Sequence, residues 1–184
     1  GVSSFGVPIV GSGSDIPVTT GSYFFVSSGT GNAGNTGSTQ DDPLATITQA
    51  LAKCTASKGD VIVVMPGHTE SIASAGGITI NKIGVTIIGL GTGTLRPTLS
   101  WSATASTMLV TAANVTLKNL LFVSGIAEVV TGITVSAAGF SMIECEVLPI
   151  ATNTWINFLT TTASGDYMTI AGCRFRTSAI PTGN

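Results

Sequence analysis

The chain has 184 residues, only 9% of them charged, with 7 Lys and Arg against 9 Asp and Glu for a net charge of −2. That length suits one domain with its own core. The cations are scattered along the sequence with no basic patch, which argues against a nucleic-acid partner, and the longest apolar run, VIVVM at Val61 to Met65, is far short of the roughly 20 residues that cross a bilayer, so no membrane partner is expected.

Residues 1 to 22 read as an extended arm. The opening GVSSFGVPIVGSGSD has neither a basic start nor a long apolar centre, so it does not read as a secretory signal. Phe5, Val7 and Ile9 are spread among Gly, Ser and Pro, and such a segment cannot build its own core. These three residues are expected to lie on a sister subunit or a partner. The remaining domain, 23 to 184, opens with YFFV at Tyr23 to Val26. A cap helix is expected over about 43–58, with Asp42 as N-cap, Pro43 at the first helical position and Gly59 as the stop. Leu44, Ile47, Ala50, Leu51 and Cys54 would form its apolar face.

From Asp60 onward the text turns to short β-branched runs punctuated by Gly and Asn. Four phrases align: GVTIIGLGT from Gly84, NVTLKNLLF from Asn114, GFSMIECEV from Gly139 and DYMTIAGCRF from Asp166. Val85, Val115, Phe140 and Met168 correspond, at intervals of 30, 25 and 28 residues. So do Ile87, Leu117, Met142 and Ile170, and likewise Leu90, Leu120, Cys145 and Cys173. Upstream strands ITI at Ile78, MLV at Met108, ITV at Ile133 and, less regularly, NFLTTT repeat with them. Short strands at such a period mean stacked coils, each burying its apolar row on the next. The two-residue turns Ile88-Gly89, Lys118-Asn119, Ile143-Glu144 and Ala171-Gly172 mostly end in residues that tolerate a left-handed backbone. Asn119 is therefore read as a turn residue, and Glu144 is the misfit.

These phrases resemble the strand, turn and strand of the right-handed single-stranded parallel β-helix of the pectin-lyase-like superfamily. The stretch from YFFV through the glycine-rich loop and cap helix to GDVIVVMPGHTE resembles the opening module of such proteins, most like phage-encoded virion structural proteins. The likeness covers about Tyr23 to Thr177. It implies an all-β, right-handed parallel β-helix with a short N-terminal capping helix and an extended N-terminal arm. It leaves function open, because the fold hosts lyases, hydrolases, adhesins and virion parts.

Polysaccharide lyases of this fold resemble one another in clustered acids that hold calcium, and calcium takes six to eight oxygen ligands. The coils here offer Glu128, Glu144, Glu146 and Asp166 without stacking them, so no catalytic residue, metal site or cofactor is assigned. Glu146 is expected to pair with Arg174 of the next coil at the ~4.8 Å strand spacing. His68, two residues before Glu70, is expected at the surface or in a turn. Cys54, Cys145 and Cys173 fit neither a disulfide framework nor a metal site. Cys145 and Cys173 share a column whose spacing permits a disulfide, but they read as small buried side chains, and reduced thiols in a protein assembled inside a cell are expected. The threonine column Thr86, Thr116, Ser141 and Thr169 lacks the second threonine of an ice-binding array.

Leu121, Val123 and Leu148 are expected to face outward and form an oligomer interface, most simply of a homotrimer. Trp101 and Trp155, placed in longer loops, are the best candidates for stacking on a sugar. The expected function is a non-enzymatic phage virion structural protein, a capsid decoration or cement protein bound to the major capsid protein or another virion protein, assembled in the host cytoplasm. The alternatives are a tailspike or fibre module that binds or cleaves host polysaccharide, and a stand-alone lyase or hydrolase.

Overall fold

A computed structural model describes residues 16–149 and 154–176, and the backbone of 3–4 and 7–8. The domain is a right-handed parallel β-helix. Its strands are β3 (Tyr23–Val26), β4 (Val61–Val64), β5 (Thr69–Ile72), β6 (Ile78–Ile80), β7 (Thr86–Gly89), β8 (Thr98–Trp101), β9 (Met108–Val110), β10 (Thr116–Lys118), β11 (Leu121–Ser124), β12 (Val129–Val135), β13 (Ser141–Ile143), β14 (Glu146–Pro149), β15 (Trp155–Thr161), β16 (Thr169–Ala171) and β17 (Arg174–Phe175). They stack into three parallel walls: β3-β4-β7-β10-β13-β16, β5-β8-β11-β14-β17 and β6-β9-β12-β15. Ahead of them β1 (Ser3–Ser4) pairs with β2 (Val7–Pro8) in antiparallel sense.

The registers follow the repeat. Ile87, Leu117, Met142 and Ile170 are partners from coil to coil, as are Ile78, Met108, Ile133 and Leu159. Because side chains alternate across a strand, a one-residue phase error would have turned every apolar column to water. The columns instead close into one core running from Val26 to Val147. The turns before β7, β10 and β13 carry the predicted left-handed residue at Gly84, Asn114 and Gly139, and the turn before β16 carries Tyr167 in the same conformation. The first three donate their amides to the next coil: Gly84 to Ala113 O, Asn114 to Ala138 O and Gly139 to Asp166 O. The turns thus pass hydrogen bonds along the stack as the strands do.

Three expectations are corrected. The helix, α1, covers only Ile47–Lys53, capped by Thr46, whose hydroxyl accepts from Gln49 N while the Gln49 side chain returns to the cap. Asp42 is not the N-cap. Its carboxylate instead accepts from the Thr36 hydroxyl at 2.6 Å and the Thr36 amide at 2.9 Å, bonds that hold its pKa below the usual value. Leu90 does not join the inward column of Leu120 and Cys145. It packs on the outer face of the first wall, against a cluster of Phe25, Val61, Val63 and Ile88. That outer cluster explains VIVV: β4 is buried on both faces, as a continuous apolar strand requires.

The arm also ends earlier than residue 22. Ile16 packs on the same outer cluster, the Thr19 hydroxyl donates to Gly59 O and the Tyr23 hydroxyl donates to Pro17 O. Residues 16–22 therefore belong to the body of the coil stack.

Candidate functional site

The two-residue turn expected at Ile88-Gly89 is replaced by a detour through residues 90–97 between β7 and β8, with a 3₁₀ turn at Gly93–Leu95. Gly91 (φ 93°) is required there, since a Cβ would stand 2.7 Å from Leu95 O. Asn119 Nδ2 holds the base of the detour by donating to Gly89 O at 2.8 Å and Gly91 O at 3.0 Å. Asn119 itself is left-handed (φ 52°), as its turn position predicted.

The detour ends at Arg96 and sets it against later coils. Arg96 Nη1 lies 3.1 Å from Glu146 Oε2, and Arg176 Nε lies 2.5 Å from Glu146 Oε1. The register Glu146↔Arg174 is as predicted, but the expected pair is not formed. Both Glu146 oxygens are taken, one by the detour and one by Arg176 two residues along β17. Lys118 Nζ is 3.6 Å from Glu144. Glu144 adopts φ 55° where the neighbouring coils place Asn119 and Gly172, a conformation costing an ordinary residue about 1–2 kcal/mol.

Between the detour and these turns lies a cleft of about 320 Å³ lined by Thr92, Arg96, Asn119, Glu144, Cys145, Gly172 and Arg174. Burial pushes the Cys145 thiol up to about 12, so it stays protonated at neutral pH and is no nucleophile. Stacking also overturns the reading of scattered charge: Arg96, Lys118, Arg174 and Arg176 gather here from distant parts of the chain.

The other predicted residues fall elsewhere. Trp101 is wholly buried at the end of β8, not in a loop, and its indole N–H donates to Gly132 O at 3.0 Å. Trp155 is half-buried, with its ring centroid 5.8 Å from that of Trp101. With Phe122 and Phe158 they form an aromatic cluster along the core, so Trp101 offers no face to a sugar. Leu121 and Leu148 are half-buried and Val123 is only 7% exposed. Val123 faces its β-partners Leu148 and Ser100, whereas Leu121 aligns with Thr98 and Glu146. The expected apolar column is thus cut by polar neighbours. Phe5 and Ile9 lie outside the described residues, and Val7 is described only as a backbone partner of Ser4.

His68 is not at the surface. It is 1% exposed, with Nε2 3.1 Å from Glu70 Oε2, and that oxygen also accepts from Ile47 N at 2.9 Å. The pair ties the first coil to the start of α1. Among the described residues no three or more His, Cys, Asp or Glu side chains gather as metal ligands, no helix is long and apolar enough to cross a membrane, and the three cysteines are free thiols.

No protein-family model matches the chain, and no curated protein matches it by sequence. Among solved structures a rhamnogalacturonan lyase matches with a TM-score of 0.50 and 13% identity, over 84% of this chain and 51% of that one. The chain spans about half the length of that enzyme, and the likeness is one of fold.

Proposed function

We propose that the chain is a non-catalytic structural protein of a phage virion, a capsid decoration or cement protein, which assembles with copies of itself as a homotrimer. The observation that carries the assembly reading is an exposed apolar pair on the wall of β12 and β15. Val129 and Trp155 are register partners facing the core. The residues that follow them, Val130 and Ile156, point outward side by side and are 47% and 62% exposed. A single exposed aliphatic residue is ordinary, but adjacent ones on the two longest strands among the described residues make a surface suited to a second subunit. In this reading the interface lies on the neighbouring wall and not on the column Leu121, Val123 and Leu148.

The pairing of three carboxylates supports the non-catalytic half. Glu144 is matched to Lys118, Glu146 to Arg96 and Arg176, and Glu70 to His68. Acid and base chemistry on a glycosidic bond calls instead for a free pair at set separation. A glycan-binding tailspike module or a polysaccharide lyase is the second reading. The rhamnogalacturonan lyase shares its fold, which serves many functions, while burial of Trp101 takes away the stacking platform on which that reading leaned.

Light scattering on wild type and Ile156→Glu tests the assembly. The expected result is a trimer that the substitution dissociates. A monomeric wild type, or a variant that assembles unchanged, overturns the reading. Recovery of the protein on the shell of purified particles, as opposed to their tails, tests the cement assignment.

A further inference from the structure

We propose that the cleft beside the 90–97 detour is an anion site, taking a compact oxyanion such as a carboxylate or a sulfate on Arg174 and Arg96. The inference goes beyond the assembly reading and stands independently of it. Arg96 and Arg174 line the cleft, and Lys118 and Arg176 pair with acids beside it, in a protein of net charge −2. Among the described residues Glu146 pairs with Arg96 and Arg176, and Glu144 with Lys118. That leaves Arg174 as a surplus positive charge among the described residues.

The surplus sits on donors suited to an oxyanion. Arg174 lines the cleft and has no ion pair or side-chain hydrogen bond among the described residues. Arg96 uses Nη1 on Glu146, and its side chain is still 21% exposed where it lines the cleft. A guanidinium presents five N–H donors in a planar fork that matches a carboxylate or sulfate edge, and a buried donor left unpaired is costly. Thr92 also lines the cleft. A metal cation would meet the two guanidinium groups, and an apolar ligand would leave them stripped of water; an anion satisfies both. The cleft volume of about 320 Å³ admits such a group together with several waters.

The site also exists only when the stack is formed. Arg96 comes from the detour, Glu144 from the turn after β13, and Arg174 from β17. Asn119 links them by holding the detour to the turn of the coil between.

The test is an NMR amide-shift titration of the intact protein with sodium sulfate and, separately, sodium acetate, at ionic strength held constant with chloride. Saturable shifts are expected at Asn119, Gly172 and Arg174 with at least one anion. The Arg174→Gln variant should bind at least about tenfold more weakly, while Lys82→Gln, which removes a cation beside α1, should bind as wild type does. A preference for acetate marks the natural ligand group as a carboxylate, and a preference for sulfate marks it as a sulfate or phosphate ester. Arg174 is exposed, so its replacement leaves the core alone. Absence of saturable shifts with both anions, or unchanged binding by Arg174→Gln, overturns the proposal.

Discussion

Single residues here do work that their neighbours in sequence do not reveal. Asp60 is 1% exposed. One of its oxygens accepts from Ser22 N at 2.7 Å and the other from Thr55 N at 2.6 Å. It thereby clamps the entry to β3 and the exit of α1 onto the start of β4. A buried amide without its acceptor costs roughly 1–3 kcal/mol, so Asp60→Ala, which orphans both, is expected to lower stability by about 3 kcal/mol. Asp60→Asn keeps one acceptor oxygen and should cost distinctly less. Urea unfolding of the two variants checks this, and equal losses would show that the bonds are not the cause. In the sequence Asp60 looks like an ordinary turn residue after Gly59, and nothing local marks its partner 38 positions away. Asn119 was legible because a left-handed turn position favours Asn by itself, whereas the burial of His68 accompanies a long-range link, the Glu70 carboxylate that holds both its ring and the Ile47 amide.

Elements show where the repeat predicts well and where it fails. Strand registers were readable because an alternating apolar column must keep one phase to stay buried. The helix was overextended because Asp42 and Pro43 are a good local start signal, but Asp42 is consumed by Thr36 and the chain pairs Val26 with Leu44 before turning helical. The capping box at Thr46 and Gln49 was the true signal. On the β8 strand, alternation alone puts Leu99 and Trp101 inward. Trp101 contacts Phe122 at 5.9 Å and Trp155 at 5.8 Å between ring centroids. Trp101→Ala is expected to destabilise by roughly 3–5 kcal/mol, with Trp101→Phe losing less because most of the volume remains. Thermal unfolding with near-ultraviolet circular dichroism would follow both the loss and the dissolution of the aromatic cluster.

At the scale of the molecule, residues 16–22 are part of the body of the coil stack. Deleting residues 1–15 spares these contacts and is expected to lower the unfolding midpoint less than a longer truncation does. Deleting residues 1–22 also removes Ile16 from the outer cluster and the Thr19 hydroxyl from Gly59 O. That loss is roughly 2 kcal/mol, or about 4–8 °C in a domain of this size. Scanning calorimetry on the two truncations decides it: equal midpoints would place the boundary at 22 after all. If the arm is an anchor for shells or sister subunits, the shorter deletion weakens attachment without touching the fold, so the two properties separate cleanly.

By itself the sequence determined the coil. Its periodic apolar positions, its Gly and Asn turns and its β-branched runs are local quantities, and a stacked repeat is built by carrying local quantities from one unit to the next. Only the tertiary structure decided what the surface offers. Arg96 and Glu146 are 50 residues apart, and their meeting depends on an irregular detour that breaks the repeat at residues 90–97. Val130 and Ile156 become neighbours because β12 and β15 stack. Trp101 moves from candidate ligand platform to core because its strand ends facing inward. Burial and contact between distant segments are properties of the packed chain, and the one-dimensional pattern that specifies the stack is silent about them.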